Sequence, residues 1–256
     1  MNLFCTKKLL ALSLDKIGGA SGEKISELIL FSTRLALSLQ NMKGELCLLD
    51  VRNLTVAYND NVVIRDFSLQ LRRGELVAIT GASGSGKSSI LRALMGFVPN
   101  FSGDIFFDGA RMCSGQMEKF RRHTAFLPQD LSFPCEWVSE VLETPFLFKS
   151  NKNITVTKEK WQTTLEQLGL DKRIMSGRVN EISGGQRQRM LFAVVAMLDK
   201  EIILLDEPTS ALDSESVSLV IDYIKNMCKS GKAVLAVTHD KHFASVCDRV
   251  INISTL

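Results

Sequence analysis

Apolar positions in this chain follow two rhythms. Leu76–Ile79, Ile202–Leu205 and Ala233–Val237 are continuous apolar runs, which predict strands buried on both faces, as in a parallel sheet covered by helices. Leu46–Leu49, Leu54–Tyr58, Val62–Ile64 and the alternating Phe67-Ser68-Leu69-Gln70-Leu71 predict short strands, with a polar turn at Asn59-Asp60-Asn61. These strands form an antiparallel flank. Phe101–Gly109 adds a turn, a strand and an Asp108-Gly109 turn.

Helical spacing takes over from Pro134 to Val179. Trp137, Val138, Val141 and Leu142 share one stretch, and Trp161, Leu165 and Leu168 another, which Thr157 caps. Further helices are expected from Arg187 to Leu198 and from about Glu215 to Cys228, the latter stopped by Gly231. Residues 1–41 look different from the rest. Ile25, Leu28, Ile29, Ala36 and Leu39 recur at helical spacing among Glu23, Lys24 and Arg34, so an amphipathic helix is expected there, packed on the domain or laid on a membrane. Met42-Lys43 stands just before the first strand, as a natural start would, and residues 1–41 then fall outside the working protein. The expected division is an extension at 1–41 and an α/β domain at 42–256, with a helical subdomain inserted at about 134–200.

Composition narrows the class without changing this picture. The 256 residues carry 31 basic and 28 acidic side chains, a formal charge of +3, which leaves no electrostatic footprint for nucleic acid. No nucleic-acid partner is expected. Six cysteines (Cys5, Cys47, Cys113, Cys135, Cys228, Cys247) include no C-x-x-C pair and none near a histidine at zinc-ligand spacing, so they read as thiols in a reducing cytosol. No run reaches the roughly 18 apolar residues of a membrane-spanning helix. The short core Leu9–Leu12, closely followed by Asp15, argues against a secretory signal.

The chemistry centres on Gly81-Ala82-Ser83-Gly84-Ser85-Gly86-Lys87-Ser88, between the Leu76–Ile79 run and the helical Ile90–Met95. Three glycines let the backbone wrap an anion with its N–H groups pointing inward, and the helix behind adds the positive end of its dipole. Lys87 can reach the β- and γ-phosphates, and the Ser88 hydroxyl can ligand Mg²⁺. This is a P-loop. It also fits kinases, GTPases and helicases, so other residues must discriminate. Leu204-Leu205-Asp206-Glu207 ends a hydrophobic strand with two carboxylates, Asp206 placed to orient the metal and Glu207 to activate a water; a helix cap is the plainer reading of such a pair. Ser183-Gly184-Gly185-Gln186 is a second glycine-containing anion site before a helix. One nucleotide has no need of both. The simplest geometry is two copies head to tail, each nucleotide held between one copy's P-loop and the other's Ser-Gly-Gly turn.

These residues together resemble the ATP-binding cassette (ABC) ATPases, from about Leu46 to the end of the chain. Ile182–Gln186 resembles the signature motif, with Ile in place of Leu; Asp206–Thr209 the Walker B motif and catalytic glutamate; Ser210–Asp213 the D-loop; Phe126–Gln129 the Q-loop; Val237–Asp240 the switch-histidine loop. The resemblance implies a P-loop NTPase core with a mainly parallel sheet, an antiparallel β flank and an inserted α-helical subdomain. It implies ATP and Mg²⁺ as cofactors, with catalytic roles for Glu207, His239, Gln129 and Lys87. Nucleotide contacts would come from Tyr58, stacked on adenine, from Gly81, Ala82, Ser83, Gly84, Ser85, Gly86, Lys87, Ser88 and Ser89, and across the dimer from Ser183, Gly184, Gly185, Gln186 and Asp213. Ser88, Gln129 and Asp206 would serve the metal.

The partners implied are a second copy and a transmembrane permease on a separate chain, contacted through Leu131–Val138 with Phe133, Pro134 and Trp137. The place implied is the inner face of the cell membrane. A non-transport ABC ATPase would carry long coiled coils between Gln129 and Ser183, where only a short helical layer fits. A GTPase would complete Asn151-Lys152 with an Asp, and a kinase does not need Ser183–Gln186. The chain stops soon after Asp248–Val250, which leaves no room for a C-terminal regulatory domain and leans towards small exporter-like or simple two-gene systems. Neither the substrate nor the direction of transport is legible, and His123 and His242 match no motif.

Overall fold

A computed structural model describes residues 47–59, 61–112, 116–130 and 134–253. The chain divides into two units, Met1–Glu45 and Leu46–Leu256, and every described residue belongs to the second. The amphipathic stretch expected between Ser21 and Gln40, and Phe133, lie outside the described residues.

Two long strands open the fold, β1 (Cys47–Tyr58) and β2 (Asn61–Arg72), paired antiparallel. The sequence pattern predicts four short strands here. They join into two because Asn53 and Asp66 take left-handed backbone angles, φ 51° and 50°, where the register shifts. Asn and Asp tolerate that region better than most residues. Each kink is tied across the pair: the Ser68 hydroxyl accepts from Asn53 N, and the Thr55 hydroxyl from Asp66 N. These polar residues, which separate short apolar runs in sequence, are bulges within continuous strands in three dimensions.

After β3 (Leu76–Thr80) and α1 (Lys87–Leu94), the strands β4 (Phe101–Phe107) and β5 (Ala110–Arg111) extend the first sheet in the order β2-β1-β4-β5. A short α2 (Met117–His123) leads into β6 (Thr124–Leu127). The helical layer comes next with α3 (Val138–Leu147) and α4 (Lys158–Gln167), the latter capped by Thr157, whose hydroxyl accepts from Lys160 N. The chain then runs through α5 (Gly184–Met197), β7 (Ile202–Asp206), α6 (Ser214–Lys229), β8 (Ala233–Val237), α7 (Lys241–Ser245) and β9 (Arg249–Asn252). The second sheet is parallel throughout, in the order β6-β7-β8-β3-β9.

The continuous apolar runs are explained by what covers each face of that sheet. Ile203, Leu205, Val234 and Ala236 pack with α5, α6 and the helical layer, while Ile202, Leu204, Ala233 and Leu235 pack with α1 and the antiparallel sheet. Alternate residues serve two cores, so none can be polar. Among the described residues no helix is long and apolar enough to cross a membrane.

Candidate active site

Because β6, β7, β8 and β3 run parallel, the loops leaving their C-terminal ends emerge along one edge of the sheet, where open α/β folds bind ligands. A cavity of about 640 Å³ lies there. Gly81–Gly84, Gly86 and Lys87–Ser89 from the loop after β3 line it, with Gln129 after β6, Glu207 after β7, His239 after β8 and Val63 of β2. Groups far apart in sequence meet because the sheet order sets β8 between β7 and β3.

The glycine loop is shaped to hold an anion. Gly86 sits at φ 84°, and a Cβ there would lie 2.7 Å from the Val63 carbonyl oxygen, so only glycine lets the loop pass this close to β2. Lys87 is buried and its Nζ donates to the carbonyls of Gly81 and Ala82, at 3.0 and 2.7 Å. The ammonium is thereby held at the mouth of α1, a helix with no acidic residue in its first turn to offset its positive end. The Ser85 hydroxyl is buried without a hydrogen-bond partner, and Ser85 does not line the cavity.

Two carboxylates end β7, and their surroundings differ. Asp206 is 1% exposed and accepts from the Ser88 hydroxyl at 2.8 Å. Burial pushes its carboxyl above the ordinary value, the Ser88 bond works the other way, and neighbouring Glu207 adds a smaller upward push. Glu207 is a non-glycine residue at φ 52°. Its backbone N–H donates to Val237 O, and its carbonyl accepts from the Ser210 hydroxyl and from the side-chain amide of Gln188. Its Oε2 accepts from His239 Nδ1 at 2.8 Å and from His239 N at 3.3 Å. The ring of His239 is exposed, so the pair faces the cavity from its open side.

Other residues singled out in sequence lie off this cavity. Ser183 caps α5: its hydroxyl accepts from Gln186 N while Gln186 Oε1 accepts from Ser183 N, a reciprocal capping box. Ser183 and Gly184 are exposed, and none of the four residues Ser183–Gln186 lines the cavity. Asp213 caps α6, accepting from Ser216 N, and that bond lowers its carboxyl pKa. Tyr58 is partly exposed at the end of β1, and Val63 rather than Tyr58 reaches the lining. Gln188 is invisible in the sequence, where it reads as one of four polar residues, Gln186–Arg189, ahead of an apolar stretch of helix; no periodicity signals that it is 3% exposed and bonded at both ends.

The model of the ABC transporter family matches residues 64–210, which takes in the glycine loop, Gln129, the Ser183–Gln186 turn and the Asp206-Glu207 pair. The chain belongs to the ABC transporter family. It is similar to the macrolide export ATP-binding/permease protein MacB of Shewanella sp. (strain ANA-3), 36% identical over 197 residues, which cover 75% of this chain and 30% of that protein. The chain therefore spans under a third of the MacB proteins it matches. Over most of their length it is similar to the L-cystine transport system ATP-binding protein TcyN of Escherichia coli (strain K12) and the manganese transport system ATP-binding protein MntB of Listeria innocua. TcyN is 34% identical, with 79% of this chain and 85% of TcyN covered, and MntB 32% identical, with 76% and 81% covered. Among solved structures, a dimeric bacterial ABC transporter cassette superposes with a TM-score of 0.71 at 27% identity, covering 81% of this chain and 94% of that one. A dimeric post-hydrolysis cassette bound to ADP and Pi gives 0.70 at 28% identity, with 80% and 94% covered. This ABC cassette is thus an ATP-binding unit with the α/β architecture expected from its sequence.

Proposed function

We propose that the chain is the Mg-ATP-hydrolysing subunit of a transporter: it closes head to tail on a second copy around two nucleotides and drives a membrane subunit carried on another chain. The observation that carries this is the convergence of Lys87, Ser88 with Asp206, Gln129, and Glu207 with His239 on one cavity. The P-loop N–H groups and Lys87 hold the β- and γ-phosphates. Ser88, Asp206 and Gln129 supply the hard oxygen donors that suit Mg²⁺, whose part is to neutralise charge on the phosphates. Among the described residues no group of three or more His, Cys, Asp or Glu could hold a metal by itself, which fits a cation that arrives with the nucleotide. Glu207 takes the proton of the attacking water, and His239 holds that carboxylate and faces the γ-phosphate.

Ser183–Gly185 lies away from its own chain's P-loop cavity, with Ser183 and Gly184 exposed. It supplies anion-binding N–H groups to the nucleotide of the opposing copy, with Asp213 near that seam and Tyr58 against the adenine. The solved relatives are dimers, and the relatives matched over about four-fifths of their length are named as ATP-binding proteins of transport systems. The cassette works at the inner membrane face, where ATP is available, contacting the permease through Pro134–Val138; Trp137 is partly exposed there, beneath the Arg178 guanidinium. Residues 1–41 lie outside this machinery.

Glu207→Gln tests the reading. It keeps the shape of the side chain and removes the base, so hydrolysis should fall by roughly 10²–10⁴ while a nucleotide-dependent dimer accumulates in sedimentation with Mg-ATP. Adding Ser183→Arg should abolish that dimer and spare nucleotide binding by the monomer. Hydrolysis at the parent rate, or a monomer at micromolar protein in saturating ATP, would refute the head-to-tail mechanism.

A further inference from the structure

Gln188 joins two parts of the site that no single element connects. Its Nε2 donates to the Glu207 carbonyl at 2.8 Å, and its Oε1 accepts from Ala211 N at 3.0 Å. The side chain is 3% exposed, so both bonds are made without competition from water. Gly185 brings the two segments closer still: a Cβ there would lie 2.9 Å from the Ala211 carbonyl oxygen. The start of α5 and the 207–211 turn are thus tied together through Gln188 and packed closely at Gly185.

We propose that Gln188 is a positioning residue for hydrolysis, setting the backbone of Glu207 and coupling it to the Ser183–Gln186 turn of the same chain. The inference rests on the function proposed above. Glu207 holds a left-handed backbone, φ 52°, a conformation that persists in a non-glycine residue only when its surroundings impose it. Gln188 and Ser210 both grip its carbonyl oxygen, and that grip aims the carboxylate at the cavity. In the dimer, the Ser183–Gln186 turn meets the γ-phosphate of the opposing copy's site. Filling that site therefore fixes α5, and through Gln188 it fixes the Glu207 that acts on this chain's own nucleotide. A primary amide both donates to a carbonyl and accepts from an N–H without depending on a protonation state. That requirement accounts for glutamine at an otherwise apolar depth.

Two variants of the full chain separate this from a role in packing alone. Gln188→Met fills the same space without either bond. Its kcat for Mg-ATP should fall about tenfold or more, with KM within about twofold of the parent, because the P-loop is untouched. Gln188→Glu can replace the amide only when its carboxyl is protonated, since an ionised carboxylate cannot donate to the Glu207 carbonyl. Its activity relative to the parent should be low near about pH 8 and rise as the pH falls towards about 6, where a buried carboxyl regains its proton. Asp206, Glu207, Asp213, Arg187, Arg189 and His239 are common to both proteins and cancel in that ratio. A parent-like kcat in Gln188→Met, equal losses in kcat and nucleotide affinity, or a ratio that does not change with pH overturns the proposal. So does failure of both variants to fold, which would make the bonds structural. If Gln188→Met does not fold, the pH profile of Gln188→Glu decides. Glu207→Gln, assayed alongside, keeps the two readings apart: if it is inactive while both Gln188 variants match the parent, only the positioning role falls, and if it is fully active, the site reading falls first.

Discussion

The hydroxyl of Ser88 donates to Oδ1 of Asp206 over 2.8 Å, bringing the first turn of α1 and the end of β7 to a single carboxylate that is 1% exposed. Burial holds that carboxyl above its ordinary value of 3.8. The folded protein therefore binds this proton to a higher pH than the unfolded chain does, and stability is lost as the pH rises from about 4 through the raised pKa. Above the raised pKa the carboxylate is ionised in both states and the whole cost of burying its charge is present. Asp206→Asn removes the charge and keeps an oxygen for Ser88. The ligand-free variant should melt higher, by about 2–4 °C for a gain of roughly 1 kcal/mol, and should lose hydrolysis and the extra stabilisation that Mg²⁺ adds to ATP. Scanning calorimetry with and without Mg-ATP checks both halves; a lower melting point without ligand would show that the carboxylate is already compensated.

Gly86 and Gly109 share a left-handed backbone, φ 84° and 75°, but not the same surroundings. A Cβ at Gly86 would press on the Val63 carbonyl at 2.7 Å and on Ile64 at 3.0 Å, whereas at Gly109 it would meet open space. Gly109→Ala should therefore cost only the backbone penalty, about 1 kcal/mol, and leave nucleotide affinity unchanged. Gly86→Ala adds displacement of the loop from β2, so it should cost roughly 1–3 kcal/mol and weaken ATP binding at least tenfold. Equal affinities in the two variants would show that the cradle adapts.

The apolar runs reveal the parallel sheet because burial on both faces leaves no polar position to confuse the period. The glycine loop, Gln129, Asp206-Glu207 and His239 are legible because each ends a strand, and the sheet order then brings them to one edge. Three features are not. Asn53 and Asp66 break the strand pattern in sequence, since a bulge and a turn use the same residues; only the cross-strand bonds to Ser68 and Thr55 tell them apart. Val63 reaches the cavity lining, a register detail that pattern does not carry, and the sequence offered no signal for it beside Tyr58. Gln188 stays hidden because its partners are backbone atoms about 20 residues away.

Cys228 closes α6 and Cys247 lies just beyond α7, both at the edge of the core beneath the parallel sheet. Burial, with Asp248 nearby, pushes each thiol up to about 12 from an ordinary 9.0. At pH 8 about one molecule in ten thousand then carries the reactive thiolate at either site, against about one in ten for an ordinary thiol. Iodoacetamide should label both at least about 100-fold more slowly in the folded protein than in denaturant, read site by site by peptide mass mapping. The stability these thiols contribute is complete below about pH 9 and is lost as the pH rises towards about 12, because the unfolded chain ionises first. Rapid labelling of either cysteine in the native protein would mean that the edge of the core opens.

Lys87 has one role in the observed loop and a second in the proposed function, and they can be separated. Its Nζ donates to the carbonyls of Gly81 and Ala82, which holds the loop closed, and in the proposed function its charge attracts phosphate. Lys87→Met keeps the apolar stem and removes both. The loop carbonyls can turn to water at the cavity mouth, so the thermal midpoint should fall by only a few degrees, equivalent to roughly 1 kcal/mol. The loss of a charge-assisted contact to phosphate is larger, about 1.5–3 kcal/mol, or more than tenfold in ATP affinity. Lys87→Arg retains the charge but puts a planar, longer group where a compact ammonium reaches the Gly81 and Ala82 carbonyls, so it should keep the fold and recover little of the affinity. Titration calorimetry with ATP on all three proteins, with thermal midpoints measured in parallel, distinguishes the roles. Full recovery by Arg would show that charge alone matters, and parent-like affinity in Lys87→Met would remove Lys87 from the phosphate cradle.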